Sequence, residues 1–285
     1  MTTFSAAAIQ MRSGLSPAAN VVAADEMIRA AAADGADYVL TPEMTTVLDG
    51  SRARLMSVIA DEENDPSLAG FRRLAAELGI FLHIGSMAIK LAGEAVADRA
   101  FVIGPDGGIV ADYDKIHMFD VDLGDGERYR ESRLFRAGAK ATVVRLPFAG
   151  VGLTICYDVR FPHLYRSLAK AGASLLAIPA AFTRTTGQAH WSVLVRARAI
   201  ENGAFVIAAA QGGLHEDGRQ TYGHSMIVDP WGKVMAELGE DPGFILAEID
   251  VAASEAARAR IPSLDHDSEF EVSAPASVAT LDKVG

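Results

Sequence analysis

The sequence predicts an α/β fold in four layers, α-β-β-α, as one domain of two pseudo-repeated halves whose sheets pack face to face between helices. Three observations support this prediction. Short apolar runs alternate with helical periodicity, each half follows the order βαβαβ and then a hairpin, and no linker-like composition separates the halves. The apolar runs are nearly continuous, which is typical of strands covered on both faces. A chain of 285 residues is long enough to bury a large core.

The first half reads as three strands, two helices and a hairpin. Ser16 and Pro17 mark the start of the first helix, because serine caps helix N-termini and proline is tolerated at the first helical position. The glycines at positions 35 and 79 mark helix ends. The predicted elements are a strand at 4–11, a helix with apolar positions 21, 24, 28 and 31, a strand at 38–43, a helix over 68–78, a strand at 81–89 and a hairpin of 100–103 and 109–114.

The second half repeats this order. Its predicted elements are strands at 142–146 and 151–156, a helix at 161–171, a strand at 174–181, a helix through 191–200, a strand at 205–210, a hairpin of 225–228 and 233–237, and one further strand at 244–250. The last residues are polar and rich in Ser, Ala, Pro and acids. We therefore predict one domain over residues 1–264 and a C-terminal tail over residues 265–285.

Composition excludes several classes of protein. Cys156 is the single cysteine, so a disulfide scaffold and a zinc cluster of cysteines are excluded, and a reducing compartment is favoured. The formal net charge of −11 argues against binding to nucleic acids or anionic membranes. A signal peptide starts with basic residues, whereas the first basic residue here is Arg12. The longest charge-free stretches are too short to span a bilayer. We therefore expect a cytoplasmic protein. The seven histidines form no zinc motif, and we expect neither a metal nor a cofactor.

Three reactive side chains lie at the ends of predicted strands. Glu43 and Cys156 end predicted strands and Lys115 follows one directly, and α/β folds place ligands at the carboxyl edge of their sheets. Taken singly, the three residues have ordinary interpretations as a cap, a solvated charge and a small buried hydrophobe. Their shared placement instead predicts that a carboxylate, an ammonium and a thiol converge on one pocket.

Six segments in a fixed order resemble the nitrilase, or carbon–nitrogen hydrolase, superfamily. Together they cover residues 4–262, and they look most like the Nit branch, which contains deaminated-glutathione amidases and ω-amidases. The segments are 41–43 (TPE), 114–120 (DKIHMFD), 153–162 (LTICYDVRFP), 186–191 (TGQAHW), 196–201 (RARAIE) and 222–232, which holds YGHS and DPWG.

This resemblance implies that Glu43, Lys115 and Cys156 form a Glu-Lys-Cys triad. The superfamily has a second glutamate shortly after the lysine, and Glu131 matches it; Asp125 and Glu127 are the alternatives for that position. The chemistry fits these residue types. An unperturbed thiol is only slightly ionised at neutral pH, so attack on an amide needs a base, for which Glu43 is suited. Lys115 and the backbone N–H of Tyr157 are the candidates to hold the oxyanion, and a thioester on Cys156 is the expected intermediate.

Three further residues are candidates for contact with the substrate. Arg160 could bind a substrate carboxylate, and its alternative is a salt bridge with Asp158 or with a C-terminal acid. Phe182 and Thr186 resemble pocket residues of the Nit branch; for Phe182 the alternative is core packing.

We therefore predict a cysteine-dependent amidase that acts on a small anionic ω-amide, either deaminated glutathione or a 2-oxo-acid ω-amide. Two other substrate classes use the same catalytic set, namely N-carbamoyl amino acids and nitriles. The alternative from another functional class is a non-catalytic interaction protein on the same fold. By resemblance alone we expect a homodimer or a higher homo-oligomer.

Overall fold

The computed structural model describes residues 3–124 and 127–273. The first half of the chain supplies most of one sheet and the helices that cover it. Its elements are β1 (Thr3–Gln10), α1 (Pro17–Ala33), β2 (Tyr38–Leu40), α2 (Arg52–Val58), α3 (Pro66–Leu78), β3 (Phe81–Lys90), β4 (Val96–Ile103), β5 (Ile109–Asp114) and a small ribbon of β6 (Asp120–Asp122) and β7 (Arg128–Arg130).

The second half supplies the other sheet and closes the first one. Its elements are β8 (Thr142–Arg145), β9 (Gly150–Leu153), α4 (Pro162–Lys170), β10 (Leu175–Ala177), α5 (Arg184–Asn202), β11 (Phe205–Ala208), β12 (Gly212–Leu214), β13 (Gln220–Tyr222), β14 (Met226–Val228), β15 (Val234–Glu237), β16 (Gly243–Asp250) and α6 (Ala252–Arg260).

Two six-stranded sheets form the centre of the molecule. Their strand orders are β16-β1-β2-β3-β4-β5 and β15-β14-β11-β10-β9-β8, so each sheet has parallel central strands and antiparallel edges. The strand predicted at 244–250 is β16, which crosses back to pair antiparallel with β1 over its whole length. The last strand thus ties the second half of the chain to the sheet of the first.

Alternation along the strands produces the four predicted layers. Ala6 and Ala8 of β1 pack in a core shared by both sheets, whereas Ala7 and Ile9 pack against helices α1 and α3. Successive strand residues point to opposite faces, so one strand contributes to two apolar layers. The predicted fold class is correct, with helices on the outer face of each sheet.

The predicted strands are longer than the observed ones at the edge that carries the reactive residues. The strand predicted at 38–43 ends at Leu40, the one predicted at 151–156 ends at Leu153, and the one predicted at 174–181 ends at Ala177. Proline has no N–H for the ladder, so Pro42 cannot continue a central strand. The chain leaves each sheet before its reactive residue, which places that residue in a loop beyond the strand.

Several short elements are absent from the sequence prediction. They are α2, α6 and the two ribbons β6–β7 and β12–β13. The ribbons have three-residue strands that are too short to show a period of two.

The predicted boundary between domain and tail falls at a short 3₁₀ turn, Ser263–Asp265. Just beyond it, the Asp267 carboxylate contacts Arg166 and Lys170 of α4. Residues 268–273 are exposed, and residues 274–285 lie outside the described part of the chain. The division at 264/265 stays a prediction. None of the described helices is long and apolar enough to cross a membrane.

Candidate active site

The residues predicted from strand ends meet in one cavity of about 490 Å³ at the carboxyl edges of the sheets. Among the residues that line it are Glu43, Lys115, Glu131 and Cys156. Glu43 and Lys115 follow β2 and β5 of the first sheet, Glu131 follows β7 of the small ribbon, and Cys156 follows β9 of the second sheet. The cavity therefore draws on both sheets and depends on how they pack.

Lys115 lies at the centre of the polar cluster. Its Nζ donates to Glu43 Oε1 and to Glu131 Oε1, both at 2.7 Å, and it lies 3.7 Å from Asp98 Oδ2. The side chain of Lys115 is only 2% exposed. Two of its three N–H groups are therefore engaged by carboxylates, and the third remains for a substrate oxygen.

Asp98 is a third carboxyl in this cluster that sequence reasoning missed. It is fully buried, and neither of its oxygens makes a hydrogen bond in the described part of the chain. Burial, together with the nearby Glu43, raises the pKa of Asp98 well above its usual value. One signal was available: Asp98 interrupts an apolar strand face that continues with Ala100 and Val102.

Oxygens of Glu43, Asp98 and Glu131 lie within 4.8 Å of one another, a spacing that can also hold a metal ion. Here the Lys115 ammonium contacts all three carboxyls and supplies the positive charge. The Lys115 ammonium therefore already occupies the position of a cation among these three carboxyls.

The cluster shifts the pKa values of Lys115, Glu43 and Cys156. Burial opposes the charge on Lys115, but the Glu131 and Glu43 carboxylates outweigh it and raise the pKa of Lys115 well above its usual value. Burial alone would raise the pKa of Glu43, but the Lys115 charge and its hydrogen bond lower it overall. Burial raises the pKa of the Cys156 thiol well above its usual value, and the Glu43 charge adds to this. The result is a neutral thiol beside an ionised carboxylate.

A strained turn presents Cys156 to the cavity. Its backbone is left-handed, with φ of +48°, at the start of a 3₁₀ turn spanning Cys156–Arg160. The Cys156 N–H donates to the Pro179 carbonyl at 2.8 Å. The N–H of Tyr157 has no acceptor within residues 3–124 and 127–273. A non-glycine residue in this conformation commonly marks a functional site, and here it leaves a free N–H next to the thiol.

Asp158 fixes this turn to the segment that carries Lys115. Its buried carboxylate accepts hydrogen bonds from Ile155 N at 2.9 Å, Tyr113 Oη at 2.7 Å and His117 N at 3.1 Å, and it contacts His117 Nδ1 at 2.7 Å. An ion pair between Asp158 and Arg160 is not observed among the described residues. Sequence reasoning considered Asp158 only as a partner for Arg160 and missed this role, which joins the two sheets next to the cavity.

Glu131 holds the loop that follows β5. Its Oε2 accepts from the Phe119 N–H at 2.5 Å while Oε1 accepts from Lys115. Burial raises the pKa of Glu131 although Lys115 opposes the shift. Of the two alternatives for this position, Glu127 bonds instead to Tyr129 and Thr185, and Asp125 lies outside the described residues.

Two of the three predicted substrate-binding residues line the cavity, and the third does not. Phe182 and Thr186 line the cavity, and Phe182 also packs on Trp191 in the core, with 5.1 Å between ring centroids. Arg160 is not among the lining residues. Its guanidinium lies 5.1 Å from the Phe182 ring centroid and 3.2 Å from His190 Nδ1. Its proposed contact with a substrate carboxylate stays a prediction.

Five arginines that sequence reasoning did not single out surround the cavity. They are Arg52, Arg128, Arg130, Arg133 and Arg219. Outside the cluster around Lys115, the acid among the lining residues is Asp49, which already pairs with Arg54. On a chain with a net charge of −11, this cavity is a local region of positive charge. The available signal was the RYRESR segment at 128–133, with three arginines in six residues.

Comparisons with known proteins agree with this architecture. A deaminated glutathione amidase of Synechocystis is 41% identical over 270 residues, which are 93% of this chain and 98% of that protein. The crystal structure of the C. elegans NitFhit protein superposes with a TM-score of 0.86 at 36% identity, over 93% of this chain and 65% of that one. Saccharomyces cerevisiae Nit3, a member of branch 10 of the nitrilase superfamily, gives 0.82 at 28% identity, over 91% and 94% of the two chains.

The sequence model of the carbon-nitrogen hydrolases matches residues 5–259, which is most of the chain. The resemblance stated from six short segments is thereby confirmed over residues 5–259. The chain belongs to the carbon-nitrogen hydrolase family.

Proposed function

We propose that this carbon-nitrogen hydrolase is an amidase that cleaves the ω-amide of a small anionic compound, deaminated glutathione or a 2-oxo-acid ω-amide, with Cys156 as the nucleophile. The observation that carries the proposal is the Lys115 ammonium held between Glu43 and Glu131 on the wall of a cavity that also exposes Cys156. The names of the relatives support the substrate class.

Acylation begins with proton transfer. Glu43 is ionised and Cys156 is a thiol, so Glu43 takes the thiol proton as sulfur attacks the amide carbonyl carbon. The carbonyl oxygen becomes an oxyanion, which the third N–H of Lys115 and the free N–H of Tyr157 stabilise. Glu43 then gives its proton to the leaving nitrogen, the C–N bond breaks, and a thioester remains on Cys156.

In deacylation, Glu43 again accepts a proton and then donates it. Glu43 accepts a proton from water as the water oxygen attacks the thioester carbon. The C–S bond then breaks, the carboxylic acid leaves, and the proton returns from Glu43 to sulfur. Glu131 takes no part in these transfers; it holds Lys115 and the Phe119 N–H in place.

Charge supports an anionic substrate. The five cavity arginines attract carboxylates, and the cavity volume is within the roughly 300–1,000 Å³ of small-molecule sites. We assign Phe182 and Thr186 to the acyl chain of the substrate and Arg160 to its carboxylate; Arg160 would have to reach it past the ring of Phe182.

The direct test is amine release from a panel of ω-amides, N-carbamoyl amino acids and nitriles by the wild type and Cys156→Ala. We expect turnover of anionic ω-amides by the wild type and none by the variant, with equal thermal unfolding temperatures. Carbon dioxide released along with ammonia would instead identify carbamoyl hydrolysis. Equal activity in the two proteins would exclude a cysteine mechanism.

A second test addresses a non-catalytic role. Cys156 is the single thiol of the chain, so mass spectrometry after a mild electrophile reports on this site alone. We expect rapid labelling that an anionic ω-amide slows. A thiol that labels only on unfolding would favour the interaction protein.

Two wider proposals concern the protein in the cell. The single cysteine supports a reducing, cytoplasmic location, which fractionation would test. Exposed apolar side chains near α5 and α6 support a homo-oligomer; they are Val193, Ile200, Trp231 and Ile261. Light scattering should then give a mass of at least twice 30.1 kDa.

A further inference from the structure

We propose that Asp98 is a positioning residue of the reaction: it is a neutral acid, buried behind Lys115, that completes the cluster without binding the ammonium, so that the third N–H of Lys115 stays available to the substrate oxygen. The inference rests on the proposed amidase function and deepens it, because it gives a role to a carboxyl that the mechanism above does not use. It is carried by the placement of Asp98, by the charge balance of the cluster and by the side of the ammonium on which Asp98 lies.

Asp98 is held in place by its strand. β4 lies between β3 and β5 in the first sheet, with Asp98 opposite Ala88 of β3, and the Asp98 carbonyl accepts from the Lys115 N–H at 3.0 Å. Its side chain lies on the face of β4 that carries Ala100 and Val102 into the core between the sheets. Asp98 is 0% exposed, so its carboxyl has no path by which to turn out into water.

The cluster holds three carboxyls and one cation. Oxygens of Glu43, Glu131 and Asp98 lie within 4.8 Å of one another, and the Lys115 ammonium bonds to the first two at 2.7 Å. The distance from Lys115 Nζ to Asp98 Oδ2 is 3.7 Å, which is longer than a hydrogen bond, and neither Asp98 oxygen has a hydrogen-bond partner within the described residues. A charge on Asp98 would be buried, without a hydrogen bond and beside two like charges, which strongly favours the neutral acid.

The groups that face Asp98 from the neighbouring segments agree with this assignment. Burial is the largest cause that raises the pKa of Asp98 well above its usual value, and the Glu43 carboxylate adds to it. Glu131 acts in the same direction, whereas the Lys115 charge and the Ser86 hydroxyl of β3 oppose the shift and are outweighed. The O–H of a neutral Asp98 has carboxylate oxygens of Glu43 and Glu131 nearby as acceptors.

Asp98 lies behind the ammonium as seen from the cavity. Lys115, Glu43 and Glu131 line the cavity, whereas Asp98 does not. With two N–H groups of Lys115 bound to the glutamates, the third can point to Asp98 or to the substrate oxygen. A charged Asp98 would take that N–H, because charge-assisted hydrogen bonds are about twice as strong as neutral ones. A neutral Asp98 leaves it for the oxyanion, so the protonation of Asp98 decides where Lys115 donates.

Urea unfolding of Asp98→Asn measures the protonation state without any substrate, since asparagine has the shape of the neutral acid and does not titrate. A carboxyl that is neutral in the folded protein and ionised in the unfolded chain makes the wild type lose stability as the pH rises above the unfolded pKa of about 3.9. The ratio of the wild-type unfolding constant to that of Asp98→Asn should therefore increase by about tenfold per pH unit between pH 5 and pH 6.5. Asp112→Asn is the matched control, since Asp112 is an exposed aspartate of β5, and its ratio should stay constant.

Ammonia release from the ω-amide of 2-oxoglutarate tests the role in the reaction. Asp98→Asn should keep most of the wild-type kcat at pH 7. Asp98→Ala leaves a space behind Lys115 and should lower kcat by about tenfold to a hundredfold with a smaller change in KM, somewhat less than the loss of a whole oxyanion donor. On the alkaline side, kcat/KM of the wild type should fall as Asp98 ionises, whereas that of Asp98→Asn should stay level to a higher pH.

Three results would overturn the inference. They are an unfolding ratio that is constant or decreases with pH, a loss of kcat in Asp98→Asn as large as in Asp98→Ala, and identical alkaline limbs for the wild type and Asp98→Asn. If Asp98→Ala does not fold, the unfolding ratio and the pH profile of Asp98→Asn still decide. In each of these cases, turnover by the wild type upholds the proposed function. If the wild type hydrolyses neither this amide nor deaminated glutathione, the proposed function fails, and the role of Asp98 in it fails too.

Discussion

Replacement of Lys115 by methionine tests the electrostatics of the cluster most directly. The change keeps the length of the side chain and removes the ammonium that donates to Glu43 and Glu131 at 2.7 Å. The two carboxylates are then left beside each other, with side chains 5% and 14% exposed. Removal of one partner from a buried ion pair typically costs about 3–5 kcal/mol of unfolding free energy. We expect a loss of this size for Lys115→Met at pH 7.5.

The same reasoning fixes the sign of the pH dependence. Without Lys115, the pKa values of Glu43 and Glu131 in the folded state rise above their unfolded values, because burial and mutual repulsion both favour the neutral acids. Groups with raised folded pKa values stabilise the protein at low pH and lose that contribution as the pH rises. The difference in unfolding free energy between the wild type and Lys115→Met should therefore become smaller as the pH falls from 7.5 to 5.

Urea unfolding at the two pH values, followed by tryptophan fluorescence, measures this deficit. Lys140→Met is the control, since Lys140 is exposed and outside the cavity. If Lys115→Met is too unstable to purify, adding Glu131→Gln should restore stability in that background, whereas Glu131→Gln alone should reduce it. A deficit that is the same at both pH values, or no larger than that of Lys140→Met, would refute the reasoning.

Three further predictions use other parts of the site. Glu43→Gln should lower kcat by about 10²–10⁴-fold through loss of the general base, and it should also lower the unfolding temperature, because Lys115 loses one of its two carboxylate partners; a smaller fall in single-turnover rates of the folded enzyme would contradict the role as base. Asp158→Asn places an amide N–H against donors that now meet a carboxylate, and urea unfolding should show a loss of about 1–3 kcal/mol. Gly85→Ala would put a Cβ 2.0 Å from the Thr41 carbonyl oxygen and should unfold at clearly lower temperature. The control Gly70→Ala lies within α3, with nothing closer than 3.8 Å, and should be neutral or stabilising.

The meeting of the three residues to which we assign the chemistry could be predicted from the sequence. Glu43, Lys115 and Cys156 each follow a strand, and the rule that ligands bind at the carboxyl edges of parallel strands needs no coordinates. Arg184–Asn202 illustrates what local patterns leave out. Its predicted start was seven residues too late, because residues 184–190, which follow the capping Thr183, are mostly polar, include Gly187 and show no apolar periodicity.

The supporting residues depend on contacts between distant strands. Asp98 matters because β4 pairs with β5, where the Lys115 N–H donates to the Asp98 carbonyl at 3.0 Å. Asp158 matters because its carboxylate reaches across to Tyr113 and His117, some forty residues earlier in the chain. A periodicity argument covers one element at a time and carries no information on which elements become neighbours.

Two buried glutamines connect the two halves of the chain beside the site. Gln211 accepts from the Ser13 N–H through Oε1, and its Nε2 donates to the Glu43 carbonyl oxygen at 2.9 Å. Gln10, at the corresponding strand end of the first half, accepts from both the N–H and the hydroxyl of Ser225. Each glutamine thus reaches into the other half, and both are fully buried. Buried amides need all of these partners, so sliding one sheet past the other would break several hydrogen bonds at once. The position of Glu43 relative to Cys156 is therefore set by the register between the sheets, and the four-layer fold is a condition of the chemistry.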